Sequence, residues 1–277
     1  MKRFLSQKGN LIIALAILTL VILLNTTTSY AQEKQIPQTK DPGHILLSSD
    51  QKSVTGKSGK WQWEFTLGAF LPVMDTTITV GDKSTQRVVK PSEVLDKIES
   101  AFTGRLEARK DRWGIFTGLY YIKLKDDISF QSISGDTKLD LTIWQTAATY
   151  RVSEGNTDVD VLAGFRYQAI DVDVDLSPLA KVSKRVDWMD PIVGARARFP
   201  LLNNLDFNLY GDVGGFGVGS KFTWRTDAIF NWHLSEGFAL KGGYSILDVD
   251  YQKGSGIDEF RYDSTMKGPI LGASFKF

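Results

Sequence analysis

The 277-residue sequence predicts an all-β fold: a transmembrane antiparallel up-and-down β-barrel of ten strands, with eight or twelve as alternatives and a short helix in the first long loop. Three observations predict it. From Trp61 onward apolar residues recur with period two, the signature of strands with one apolar and one polar face. Beyond the N-terminus no stretch is long and apolar enough for a membrane helix. The connections between the alternating runs are short and long in turn, as in barrels with tight turns on one side and loops on the other.

The N-terminal segment stands apart from that pattern. Lys2, Arg3 and Lys8 precede one apolar run from Leu11 to Leu24, and Ser29 and Ala31 are small residues placed for a cut. Residues 1–31 read as a secretory signal peptide; an uncleaved anchor helix needs roughly 20 apolar residues, more than this run has. Three of the 33 Lys/Arg and none of the 32 Asp/Glu leave with it, so the mature chain has 30 against 32, net −2. Such a balance predicts no nucleic-acid partner. Residues 32–60, polar and without apolar period, read as a disordered periplasmic leader. Residues 61–277 are the predicted barrel.

Ten alternating runs follow in order, at about 61–70, 101–109, 112–124, 138–152, 157–172, 185–199, 205–216, 220–233, 238–250 and 261–277. The first sets Trp61, Trp63, Phe65 and Leu67 against Gln62, Glu64 and Thr66. The second sets Phe102, Leu106 and Ala108 against Arg105, Glu107 and Arg109. The run 112–124 carries aromatics on both faces, and in 138–152 Trp144 and Tyr150 share one parity while Leu141 and Ile143 share the other. The remaining runs alternate cleanly. "KD" at 110–111, "SEGN" at 153–156, "PLLNN" at 200–204 and "LSEG" at 234–237 have turn chemistry. Longer links are expected at 71–100, 125–137, 173–184 and 251–260. In the first, "PSEVLDKIES" has Pro at a helix start and Val94, Leu95 and Ile98 on one face, predicting a helix that rests on the rim or plugs the mouth.

The polar parity gathers charges of both signs as lumen-lining candidates: Arg105, Glu107, Arg109, Asp158, Asp160, Arg166, Asp190, Arg196, Arg198, Arg225, Asp227 and Lys241, with Lys276 in the last run. A small barrel has an interior just wide enough for side chains, and buried charges must be paired or hydrated. The same residues admit two readings: a mixed-charge network filling the lumen, or a narrow water path in which Arg105, Arg109, Arg196 and Arg198 favour small anions. Trp61, Trp63, Tyr150, Phe199, Trp232 and Phe238 fall near the turns, and Tyr120, Tyr121, Tyr244 and Tyr251 toward the loops, as two interfacial aromatic girdles would.

Little points to catalysis, metals or cofactors. There are no cysteines and two histidines, His44 in the leader and His233 beside a turn, where it reads as an interfacial side chain. A protease of the omptin type needs a histidine with several aspartates at the external rim, and a Ser–His deacylase needs the two side by side there. The acidic pairs Asp126/Asp127, Asp171/Asp173/Asp175 and Asp248/Asp250 sit at expected loop-side strand ends, as solvated loops or, less directly, as divalent-cation sites bridging lipopolysaccharide.

Two resemblances add to this. The ending "GASFKF", with Gly272, Phe275 and Phe277, resembles the signal read by the bacterial outer-membrane barrel assembly machinery; Ile270 stands where a polar residue is usual. "WQWEFTLGAFLP", "ITVGD" and "PSEVLDKIESAFTGRLEARKDRWGIFTGLYYIKL" together resemble a family of uncharacterised bacterial proteins with an outer-membrane β-barrel domain, with Gly118 where that group often has Asp. The resemblance implies fold and compartment and carries no activity. The expected protein is therefore a monomeric barrel of a Gram-negative outer membrane. Its expected partners are membrane lipid, lipopolysaccharide and the assembly machinery. It is not expected to be an enzyme or to hold a cofactor. Its role is structural or in surface interaction; the alternative is a narrow porin-like channel for small polar or anionic solutes.

Overall fold

A computed structural model describes residues 59–80, 83–130, 133–176, 180–256 and 259–277. The expected signal peptide, His44 and the leader up to residue 58 lie outside the described residues. The chain forms β1 (Gln62–Phe70), β2 (Val73–Val80), β3 (Lys83–Val89), a five-residue helix α1 (Pro91–Leu95), β4 (Ile98–Lys110), β5 (Trp113–Phe130) and β6 (Ile133–Ser153). It continues with β7 (Asp158–Leu176), β8 (Ala180–Leu202), β9 (Leu205–Gly214), β10 (Phe222–Ser235), β11 (Phe238–Lys253) and β12 (Phe260–Lys276).

Ten of these strands, β1 and β4 to β12, pair antiparallel in chain order and close on themselves through β1 and β12. The closing register runs from Glu64↔Lys276 to Phe70↔Ile270. It extends to the last residue, where the Phe277 N–H donates to the Trp63 carbonyl at 3.1 Å and the Trp63 N–H to the Phe277 carbonyl at 2.9 Å. The β4–β5, β6–β7, β8–β9 and β10–β11 turns and both ends of the wall share one end, here the turn end. The other is the loop end.

The first long link does not plug the bore. It builds wall. Past Pro72 the chain resumes as β2, which takes over from β1 as the partner of β12 from Met74↔Met266 to Val80↔Phe260 and then pairs with β3. The hand-over needs Gly268: a Cβ there would lie 2.3 Å from the Leu71 carbonyl oxygen and 2.9 Å from the Pro72 Cα. The expected helix over 91–100 stops at Leu95, because Ile98–Ser100 already belong to β4. The links expected at 125–137 and 173–184 are likewise mostly strand, whereas 251–260 is strand only at its two ends. β5, β6, β7 and β8 run on to Phe130, Ile133, Leu176 and Ala180, with β8 reaching 23 residues. Acidic residues alternating with Val, as in Asp171–Asp175, read as loop in the sequence but are two-sided strand here.

The two faces exchange character partway up. In the turn half the outward side chains are apolar and exposed, among them Leu106, Ile115, Val161, Phe165, Val193, Phe230, Leu240 and Leu271. In the loop half apolar side chains point inward: Met74, Ile122, Leu141, Ile143, Trp188, Leu247, Val249, Tyr251, Phe260, Tyr262 and Met266 form one core, with Phe70, Ile78, Val89, Ile98 and Tyr120 against it. There the outward side chains are Lys125, Asp173, Arg185, Asp187 and Lys267. This explains the two runs with mixed faces. Leu141 and Ile143 belong to the inner core, Trp144 and Tyr150 to the outer belt.

Met266 is fully buried in that core. Met266→Ala is expected to destabilise the barrel by about 2–5 kcal/mol, the range for large-to-small core substitutions. It should be read as a lower urea midpoint of the detergent-folded protein.

Candidate functional site

The inward residues of the turn half surround a cavity of about 860 Å³. Of the candidate charges, Arg105, Glu107, Arg109, Asp158, Asp160, Arg196, Arg198, Arg225, Asp227, Lys241 and Lys276 line it. They are brought to one face by the two-residue period of β4, β7, β8, β10, β11 and β12. Glu64, Arg151, Asp206 and Glu236 complete the charged lining, giving eight Lys/Arg against seven Asp/Glu.

Arg196 is the hub. Its guanidinium donates two bonds to Glu107, at 2.7 and 2.8 Å, and reaches Asp160 at 2.7 Å. The same Asp160 accepts from Arg109 at 2.6 Å and from Arg151 at 3.0 Å. Arg105 donates to Glu107 at 3.1 Å and lies 3.8 Å over the Phe116 ring. Lys241 pairs with Glu64, which also lies 3.7 Å from Lys276. Arg225 donates to Asp227 at 3.0 Å. Near the turn end Asp206 accepts from Arg198 at 2.6 Å and Asn231 at 2.5 Å, and its carboxylate lies 2.5 Å from His233 Nε2. His233 is therefore turned into the lumen, not outward to an interface. Its odd number on β10 puts it with Asn231 and Asp227.

Two candidates do not line the cavity. Arg166 and Asp190 are fully buried above it. Arg166 donates to Asp212 at 2.5 Å, Gln145 at 3.2 Å and Thr223 at 3.3 Å, and Tyr210 donates to the same Asp212 at 2.5 Å. Asp190 accepts from the Ser220 N–H at 2.6 Å and the Trp188 indole at 3.1 Å. This layer ties β6, β7, β8, β9 and β10 together and lies between the cavity and the apolar core. The strand "LDFNLYGDVG" carries Asp206, Tyr210 and Asp212 at one parity, opposite the apolar Leu205, Phe207 and Leu209, the signal by which they were findable.

The cavity keeps several polar atoms without a protein partner: Arg109 Nη1, Tyr120 Oη, Asn208 Oδ1, Asn231 Oδ1 and Ser274 Oγ. A space of this size and polarity suits water or a polar solute.

On the outer surface Trp61, Trp63 and Trp232 are exposed, and Tyr150 and Phe238 pack on Trp113 and Phe275 at 4.8 and 5.2 Å between ring centres. Phe199 lies beside Phe207 at 6.2 Å. Toward the loops Tyr244 points outward, but Tyr120 and Tyr251 point inward and join the core, so they are not girdle residues. The acidic pairs have partners from neighbouring strands and links: Asp126 with Lys97, Asp171 with Arg185, Asp175 with Lys181 and Asp250 with Arg261. Among the described residues no three acidic or histidine side chains are placed to hold a metal ion.

Removing Arg196 leaves Glu107 and Asp160 short of their shared cation in a lumen only partly open to solvent. Arg196→Met is expected to cost about 3 kcal/mol. Adding Glu107→Leu is expected to return part of that loss, with a coupling of about 1–3 kcal/mol in a double-mutant cycle of urea midpoints.

No family model matches the chain, and no curated protein sequence does. The fold is similar to that of solved outer-membrane proteins. The outer membrane protease OmpT from Escherichia coli aligns with a TM-score of 0.51 and 8% identity over 82% of this chain and 99% of that one. The transport unit of the autotransporter AIDA-I from Escherichia coli aligns with 0.42 and 10% over 82% and 94%. Ail, the attachment invasion locus protein of Yersinia pestis, aligns with 0.35 and 12% over 79% and 100%. At these identities the likeness is one of fold: an outer-membrane type of β-barrel.

Proposed function

We propose that this chain is a non-conducting, non-catalytic barrel of a Gram-negative outer membrane whose loop half stands outside the cell for structural or surface-interaction work. The observation that carries the reading is the exchange of faces. An outward apolar belt beside a charged lumen fits hydrocarbon, while outward charge beside an apolar core fits water. A strand needs roughly 9–11 residues to cross, and β8 has 23, so the surplus belongs above the bilayer. Under this reading the turns face the periplasm. Gly272, Phe275 and Phe277 serve as the assembly signal, and lipid and lipopolysaccharide surround a monomer.

The absence of conduction is supported by what lies above the cavity. The Arg166–Asp212 layer and the core around Met266 and Val249, both fully buried, leave the cavity blind toward the loops. The porin-like alternative draws on the arginines. They are matched by acids nearly one for one and pinned in ion pairs, which weighs against an anion path. A non-catalytic role is supported by His233, whose ring partners are Asp206 and Arg198 rather than a nucleophile.

Planar-bilayer recording of heat-modifiable, folded protein is expected to show no conductance steps. Steps whose size shifts when Arg196 or Arg198 is replaced by Glu would overturn the reading in favour of the channel.

A further inference from the structure

The charged lining of the cavity is balanced in number but not in what it leaves unused. Glu107, Asp160 and Asp206 each accept through both carboxylate oxygens. Glu107 accepts from Arg196 and Arg105, Asp160 from Arg109, Arg151 and Arg196, and Asp206 from Arg198 and Asn231. The guanidiniums are not used up. Each carries several N–H donors. Among the described residues Arg105 bonds through Nη2 alone, to Glu107, and Arg225 through Nε alone, to Asp227; Arg198 bonds Asp206 through Nε and Nη2 and leaves Nη1. These three cations also stand further into the space than their acids. The Arg198 and Arg225 side chains are 42% and 28% exposed against 4% and 7% for Asp206 and Asp227, and Arg105 is 31% exposed against 16% for Glu107. Glu64 and Asp158 stand forward as well, each beside a cation, Lys241 and Arg151. Unused N–H donors therefore face the cavity, and a guanidinium with two free nitrogens is the fork that takes an oxyanion by parallel bonds.

The room beside that fork is made by glycines. Arg105 lies between Gly118 of β5 and Thr66 of β1, and two residues above Thr66 Gly68 pairs with Gly272 of β12. All three glycines line the cavity. At Gly68 and Gly272 a Cβ would lie 2.6 and 2.7 Å from a backbone oxygen of the facing strand, so the close approach of β1 and β12 keeps this part of the wall bare. At Gly118 the space is open, with the nearest non-neighbouring atom 3.6 Å from a Cβ. Above this bay Phe70, Tyr120, Ile143 and Leu247 line the inner end and belong to or pack on the apolar core. The Tyr120 hydroxyl there has no protein partner. Toward the turn end the lining reaches the exposed Glu236 and Phe277. At about 860 Å³ the space falls in the range of roughly 300–1,000 Å³ that holds small ligands.

We propose that the cavity is a binding site, entered from the turn end, for a small organic monocarboxylate. Its carboxylate takes the free donors of Arg105, and its apolar body lies against the glycine wall beneath Phe70 and Tyr120. One fork and an apolar inner end select an organic anion with a single carboxylate over a bare inorganic one. An anion path needs unpaired cations along the whole bore; a site needs one. The proposal goes beyond the closed-barrel reading above and rests on it only for the dead end toward the loops.

The probe is 4-fluorobenzoate, followed by fluorine NMR on the folded full chain in non-ionic detergent, with empty micelles as the blank. Saturable binding with a Kd below about 1 mM is expected, at least roughly tenfold weaker for the neutral 4-fluorobenzamide. Arg105→Leu removes the fork while Glu107 keeps both bonds from Arg196, and is expected to weaken binding at least roughly tenfold. Gly118→Val fills the bay without a clash at its Cβ and is expected to weaken binding by a similar factor. Heat-modifiable migration shows whether each variant has folded, and the comparison of acid with amide on the parent chain needs neither variant. No saturable binding at about 1 mM probe, equal affinity for the amide, displacement by inorganic phosphate at or below the probe's own concentration, or unchanged binding by either folded variant would each overturn the proposal. A barrel that conducts yet binds the carboxylate would retire the closed-barrel reading alone, and a silent barrel that ignores it would retire the site alone.

Discussion

The structure depends on closure of the wall. β1 meets β12, and with that contact every strand of the turn half has a partner on both sides. A wall facing hydrocarbon has no water to satisfy a free amide, so closure is the condition for standing there at all. Closure also fixes the width. Ten strands enclose a bore narrow enough for inward side chains to meet across it, although its turn half keeps a cavity of about 860 Å³. The charged residues are consequently gathered around shared partners. Arg196 with Glu107 and Asp160 is one such group, and Asp206 with Arg198, Asn231 and His233 is another.

The second constraint is the change of solvent along each strand. β11 shows it within one sentence of sequence: Phe238 and Leu240 are apolar and outward, Leu247, Val249 and Tyr251 apolar and inward. Since the side-chain period is two, moving the apolar set from even to odd positions moves it from the outside to the inside of the wall. β7 makes the same exchange between Phe165, outward, and Val172 and Val174, inward. One wall thus serves two environments, and the place where the phase changes marks the boundary between them. The buried Arg166–Asp212 layer lies between the charged cavity and the apolar core.

The barrel, its ten strands and their inward parity were legible in the sequence wherever one face stayed apolar over a whole run, as in 220–233. The strand tops were not. Asp171, Asp173 and Asp175 look like loop because charge is expected away from strands, yet alternation with Val is also what a strand between water and a core requires. The hairpin of β2 and β3 was missed for a related reason. "ITVGD" and the polar residues after it carry too little alternation to be recognised before β12 is present to pair with them. At the site, Arg196 and Glu107 were both visible as inward charges, but nothing in their spacing brings residues 89 positions apart into a bidentate pair.

Local pattern by itself determined the period-two alternation, the tight turns and which side of each run faces the lumen, because these follow from the pleat of a single strand. Only the tertiary structure decided that the first link becomes wall, that Tyr120, Tyr251 and His233 turn inward, and that Arg166 and Asp190 sit above the cavity rather than in it. It alone decided that, among the described strands, the part of β8 above Ile192 pairs only with β7. Those outcomes depend on how far each neighbouring strand extends and how closure staggers them, and both are properties of the assembled sheet that no single run of residues contains.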